Sequence, residues 1–480
     1  MTLHKPLALL SLAGLVLSAA CSTTGQSATP AEQASLSTLG GLRRTAASQY
    51  IKNVVVIIQE NRSFENFFAG YPGADAPTSG CAIPKTSEMT RPRVTLPLAR
   101  ARSSSSCPPG DVSVALRPIT FDDPDLGHEW AKAQTEYDKG KMDGFSKLPT
   151  QGQWGSYPAY TYVEQSLIKP YWDMAQQYVL ADEMFPTEWG GSFTGHLTLV
   201  AGTDDIKQSP SEAEIDNPTA APYDCDSPPG TKSSYVTAKK QQEVNKGPFP
   251  CFTQWNTIAQ VLDNAGVTWK YYATKKLDAG IWEPFEAMSY VRYGQDWANI
   301  IAPQTKILTD PGAGQLASVS FVSPSLGDSD HPWGKGSDKG PSWVASVVNA
   351  IGQSSYWNST AIIVVWDDWG GWYDNAKPPQ LDYRGLGFRV PCLIISPYAK
   401  SGYVDSTQYE FGSILKFIEE VYGLGSIGPA SEGYTDQRAT SLDAAFNFSE
   451  QPRAFKPIKT KYPMSYFIHE PPSNAPVDTE

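Results

Sequence analysis

This chain is sparing with chemistry. Of its 480 residues six are cysteine and five histidine, and only 18% are charged. The charge is also lopsided: 50 acidic residues stand against 38 Lys and Arg, a formal −12. That balance excludes a nucleic-acid partner, which needs a basic face. An anionic substrate would then require local positive charge or a metal. No CxxC pair occurs, which removes the usual redox and zinc motifs. No internal repeat is visible, so a solenoid is excluded. The one early apolar run, residues 6–17, is too short to span a bilayer.

What is present points to a globular, exported protein. Aliphatic and aromatic residues make up 40% of the chain, with 14 Trp and 24 Tyr, enough to build one large α/β domain with insertions or two ordinary domains. Residues 1–20 read as a signal peptide, with Lys5, the apolar run, and small residues before Cys21. Two maturation routes fit. Ser18 and Ala20 suit ordinary signal peptidase; "LSAAC" before a polar stretch also resembles a lipoprotein box, with Ser18 where Leu or Val is usual, and would attach the chain to a membrane through a lipidated Cys21. The expected location is the periplasm, the outer membrane or the medium. Cys81 and Cys107 are 26 residues apart, as are Cys225 and Cys251, all in loop-like sequence. Local disulfides there would suit an oxidising compartment. Cys392, in "RVPCLIIS", reads as a buried strand residue.

Residues 21–48 are Ser/Thr/Ala/Gln-rich and read as a flexible tether. Continuous apolar runs then follow, beginning with "NVVVIIQEN" (53–61). The others are at 178–182, 267–272, 318–323, 361–366 and 392–396. Such runs suit strands buried on both faces. Helical spacing lies between them, as in 255–266, 341–352 and 411–423, each ending at a glycine. The alternation predicts a mostly parallel sheet covered on both sides, with ligands at the carboxyl ends of its strands. Residues 49–450 form the catalytic domain in this reading, with insertions at 75–125 and 206–250. The tail 451–480 has no evident pattern.

Two strands end in hard ligands. "VVVIIQEN" delivers Glu60 and Asn61; "AIIVVWDD" delivers Asp367 and Asp368. Carboxylates that converge at a buried sheet edge repel one another and lose hydration, which a divalent cation relieves. A lone acid would equally serve as a helix cap. Three histidines, His128 in "LGHEW", His196 in "GGSFTGH" and His331 in "DSDHP", sit in loop contexts beside acids and glycines. Each could bind metal, hold an anion or donate a proton, or simply lie at the edge of the core. Ser192 follows Gly190 and Gly191 at a helix start, placed either as a nucleophile or as a cap. Residues 190–194 read Gly-Gly-Ser-Phe-Thr, not the G-x-S-x-G elbow.

Together "VVVIIQENRSFENFF", "TEWGGSFTGH", "DSDHP", "WDDWGGWYDN" and "GFRVPCLIIS" resemble the bacterial phosphoesterase family that includes phosphatidylcholine-type phospholipases C and acid phosphatases. The resemblance covers roughly residues 52–445. It implies an alkaline-phosphatase-like three-layer α/β/α sandwich and hydrolysis of phosphate esters or phospholipids. It also implies a divalent metal on Glu60, Asn61, Asp367 and Asp368, a Ser192 nucleophile, and His128 and His331 around the phosphoryl group. Two positions depart from the pattern: Gly195 replaces a common Asn, and Asn375 replaces a usual His. The first alternative is a phosphomonoesterase on the same scaffold. The second, suggested by Asn375, is a surface lipoprotein that binds a phosphorylated ligand without turnover.

Overall fold

A computed structural model describes residues 45–85, 107–121, 124–149, 155–207, 210–332 and 338–471. The proposed leader, Cys21, most of the tether and the end of the tail lie outside these residues. The described residues belong to one compact unit. None of its helices is long and apolar enough to cross a membrane.

The apolar runs become the strands of one central sheet. These are β1 (Asn53–Gln59), β2 (Val179–Phe185), β3 (Trp269–Tyr272), β4 (Ile300–Ile301), β5 (Val319–Val322), β6 (Thr360–Trp366), β7 (Val390–Ile395), β8 (Tyr403–Asp405) and β9 (Tyr409–Glu410). Their spatial order is β4-β3-β5-β1-β6-β7-β2-β8, with β9 also on β2. All pairings are parallel except those β7 makes with β6 and β2. Two antiparallel steps restore the direction, so β1, β5, β6 and β2 all present their carboxyl ends on one edge. That edge is where a doubly covered sheet places ligands.

β1, β6 and β7 are buried at every residue, which requires cover on both faces. Two helix groups provide it. One contains α1 (Ala46–Tyr50), α5 (Ser192–Ala201), α6 (Ile258–Asn264) and α8 (Phe411–Tyr422); the other contains α4 (Lys169–Gln177), α7 (Gly340–Gly352) and α9 (Met464–His469). Two short helices, α2 (Phe64–Phe68) and α3 (Trp130–Tyr137), lie near the functional edge. The result is the expected three-layer α/β arrangement. α1 begins inside the stretch read as a tether, and α9 packs Phe467 against Trp343 of α7, so this part of the tail belongs to the core.

Both expected loop staples form, Cys81–Cys107 and Cys225–Cys251, and Cys392 is buried and free. The second insertion folds into a three-stranded sheet over Glu212–Ile215, Ser234–Thr237 and Gln242–Glu243.

Candidate active site

The register of β1 on β6 sets the geometry. Gln59 pairs with Trp366, so the next residues, Glu60 and Asp367, leave neighbouring parallel strands side by side. The ladder continues past the strands: Asp367 N–H donates to Gln59 O (2.9 Å) and Arg62 N–H to Asp368 O (3.1 Å). Asn61 turns the chain at φ +53°, a left-handed conformation that Asn tolerates better than most residues. Its N–H donates to Asp367 Oδ1 at 3.0 Å. A Cβ at Gly370 would stand 2.2 Å from Asn61 O, and one at Gly371 2.7 Å from Leu126 Cβ. The double glycine therefore lets the Asp368 turn lie against both the Asn61 turn and the loop that carries His128.

Ser192 opens α5 from the carboxyl end of β2. Its hydroxyl is 3.2 Å from Asn61 Oδ1 and 3.4 Å from Asp368 Oδ2. His196 lies one turn further along α5, so it shares the face of Ser192. Its Nε2 is 2.9 Å from Glu60 Oε1 and 3.9 Å from Asp367 Oδ2. Gly195 between them permits this approach, because a Cβ there would be 2.8 Å from Asp367 O. An Asn at this position could not enter without moving the helix or the strand end.

His128 Nδ1 donates to Leu126 O at 2.7 Å, which leaves Nε2 to accept from Asn61 Nδ2 at 2.8 Å. His331 Nδ1 likewise donates to Pro332 O at 2.9 Å, and its ring is 6.4 Å from that of His128. The loop bearing His331 is tied to β1: Asp330 N–H donates to Gln59 Oε1, and Arg62 Nε donates to Asp330 O.

The cluster separates into two halves. Glu60, His196 and Asp367 bring ligand atoms within 4.8 Å of one another. Ser192, Asn61, Asp368 and His128 form a hydrogen-bonded group beside them. All four residues of the sequence-derived ligand set therefore meet, but Asn61 and Asp368 stand with the hydroxyl. His196, which sequence analysis left outside that set, stands with the other two acids. The i, i+4 spacing from Ser192 was the signal that could have placed it. Arg62, which orients the His331 loop, and Trp282, whose ring lies 6.4 Å from His196 and 6.0 Å from His331, had no comparable signal.

Electrostatics suit a divalent cation. Burial, then the neighbouring Asp367, pushes Asp368 up to about 8, against the opposing influence of His128, the Gly370 N–H and His331. His128 Nε2 stands 4.0 Å from Asp368 Oδ2 and His196 Nε2 3.9 Å from Asp367 Oδ2. Asp367 Oδ2 is buried without a hydrogen-bond partner. Two carboxylates and an imidazole fit a divalent transition ion better than an all-oxygen cage would. Asn375 is occupied elsewhere, donating to Asp75 Oδ2 at 2.9 Å and accepting from Arg389 Nη2 at 2.8 Å.

Comparison with known proteins adds the chemistry class. The model of the Phosphoesterase family matches residues 51–425. Phospholipase C A of Mycobacterium tuberculosis is 26% identical over 455 residues, spanning 85% of this chain and 79% of the relative. Non-hemolytic phospholipase C of Pseudomonas aeruginosa is 24% identical over 465 residues, spanning 85% and 58%. Among solved structures, an alkaline phosphatase superfamily protein from Vibrio parahaemolyticus aligns over 57% of this chain and 65% of its own, at 13% identity and a TM-score of 0.35.

Proposed function

Because this chain belongs to the Phosphoesterase family and is a phosphoric ester hydrolase of the phospholipase C-like kind, we propose that it cleaves phosphodiesters, phospholipids included, through a phosphoseryl intermediate on Ser192. One observation carries this reading. The hydroxyl lies at the start of a ten-residue helix, within reach of Asn61 and Asp368 and beside the Glu60–His196–Asp367 triad.

A divalent cation held by Glu60, His196 and Asp367 would polarise a phosphoryl oxygen and lower the pKa of the attacking hydroxyl. The protein's own groups supply the rest. Ser192 Oγ attacks phosphorus; the Oγ–P bond forms as the bond to the leaving oxygen breaks, and the hydroxyl proton passes to Asp368 Oδ2, which a neighbouring cation would hold as the carboxylate. N–H groups at the start of α5 bind the non-bridging oxygens. His128, held with Nε2 as acceptor, fixes the Asn61 amide so that Asn61 Oδ1 orients Ser192. His331, whose ring is oriented by the Nδ1 bond to Pro332 O and stands beside that of His128, acts as the acid. It protonates the leaving alkoxide, then accepts a proton from the water that hydrolyses the phosphoserine; the Oγ–P bond breaks, Asp368 returns its proton to Ser192 Oγ, and phosphate or a phosphomonoester leaves. Two disulfides support action in an oxidising, extracytoplasmic compartment. Export by the leader and lipidation at Cys21 remain parts of this proposal.

The test is Ser192→Ala assayed on p-nitrophenyl phosphate, p-nitrophenylphosphorylcholine and phosphatidylcholine, with and without chelator. Turnover should fall at least about a thousandfold, roughly 4 kcal/mol of barrier, while the melting temperature barely moves. Wild-type rates in the variant would end the assignment. The preferred substrate decides between diesterase and monoesterase.

A further inference from the structure

One residue layer beyond His128 lies an aromatic group built from the segments that carry the site. Trp130 is two residues past His128, and Trp189 is three before Ser192. The Trp130 and Trp189 rings are 6.4 Å apart, and Tyr137 stands 4.8 Å from Trp189. Trp369, next to Asp368, joins this group to the site: its ring is 6.2 Å from His128, and its Nε1 donates to Glu136, the neighbour of Tyr137.

Such faces suit a cation, and here the protein's own lysines take them. Lys240 Nζ lies 4.8 Å over Trp189 and donates to Gln380 Oε1 at 2.8 Å. Lys377 Nζ lies 5.9 Å over Tyr137. Gly140 keeps that seat open, since a Cβ there would be 2.6 Å from Lys377 Nζ. Lys240 is delivered by the turn of the second insertion, which Asp216 anchors by accepting from Trp130 N–H (2.7 Å) and Gln242 Nε2 (3.1 Å). Among the described residues neither lysine pairs with a carboxylate. Asp382, the acid that acts on Lys240, is bound by Arg384 and Arg438. Glu136 and Glu188 point elsewhere, Glu136 accepting from Trp369 Nε1 and Glu188 from Thr194 Oγ1 at 2.5 Å. In a chain of formal charge −12, two ammonium groups without a carboxylate partner sit on the aromatic group that borders the site.

We infer that Lys240 and Lys377 are specificity-determining residues: they fill the aromatic faces a quaternary ammonium would stack on and bias the site toward phosphate esters whose alcohol portion is anionic. This rests on the phosphoesterase reading of the Ser192 site and names its substrate class.

The test reads binding rather than turnover, so it does not depend on Ser192 chemistry. Calorimetric titration of the full-length protein at low ionic strength uses 3-phosphoglycerate and phosphocholine as probes. Wild type should prefer phosphoglycerate by about tenfold, equivalent to about 1.4 kcal/mol. Lys240→Met should abolish most of that preference and tighten phosphocholine; Lys240→Arg should keep it, and molar salt should shrink it. Equal affinity for both probes in wild type, or an unchanged ratio in a Lys240→Met/Lys377→Met double variant, overturns the inference and leaves the hydrolase reading intact. Binding of neither probe overturns the inference as well.

Discussion

Gly195→Ala asks whether the close approach of α5 to the end of β6 holds the site together. Two effects oppose each other. Gly in a helix interior costs about 1 kcal/mol relative to Ala, so the new methyl should stabilise α5 by that amount. Against this, its Cβ would be 2.8 Å from Asp367 O, 3.2 Å from Asp367 C and 3.3 Å from Asp367 Cβ. The first contact must open by several tenths of an ångström. The obstructing atom is backbone at the end of a strand buried along its whole length, so no side chain can rotate away. Overpacking of this kind costs about 1–3 kcal/mol, and the clash wins by about 1 kcal/mol. For a fold of this size that lowers the melting temperature by about 1 °C. The larger consequence is local. Any relief separates Asp367 from His196 and Ser192, so manganese or zinc affinity, measured by calorimetry on chelator-stripped protein, should fall at least about tenfold, or about 1.4 kcal/mol. Differential scanning calorimetry and titration together give the answer. A higher melting temperature with undiminished cation affinity would refute the reasoning, because α5 would then be free to slide without disturbing the triad.

Other tests address separate groups. His196→Ala should cut the bound metal measured by elemental analysis to a small fraction of wild type; full metal content would make His196 an ion-pair partner of Glu60 only. His331→Ala should slow the phosphoserine-forming step, read in single-turnover bursts, at least about a hundredfold for esters of poor leaving alcohols while sparing that step for p-nitrophenyl esters, the range expected for loss of a general acid; equal losses in that step on both would deny it the acid role. A third test concerns pH. Burial first, then mutual repulsion, raises Glu286 to about 10 and Glu283 to about 8, and burial raises Asp224 to about 6. Folded values above the unfolded ones mean the native state holds more protons, so their stabilising contribution is full below about 4 and is lost as pH rises from there to about 10. The melting temperature should decline over that window, and Glu286→Gln should flatten the decline; a variant with the wild-type slope would rule out this cluster as the cause.

How much of this was legible beforehand depends on how local the information is. The runs at 53–59 and 360–366 had to be strands because β-branched and apolar residues without polar alternation can only be buried on both faces. Their abrupt endings in Glu60–Asn61 and Asp367–Asp368 marked the functional edge for the same reason: charge cannot continue into the sheet. The cysteine spacing likewise pointed to the two staples. The role of Asn375 was not legible, because it depends on Asp75 and Arg389, residues distant in the chain.

The sequence by itself determined that hard ligands would be placed at buried strand ends and that Ser192 would open a helix, since burial, periodicity and capping act over a few residues. Only the tertiary structure decided that β1 and β6 are neighbours in register, that two antiparallel steps bring β2 back to the same edge, and that His196 joins Glu60 and Asp367 while Asn61 and Asp368 turn to Ser192. Those outcomes are set by strand order and ångström-scale packing between distant segments, as at Gly195 against Asp367, and no local pattern encodes them.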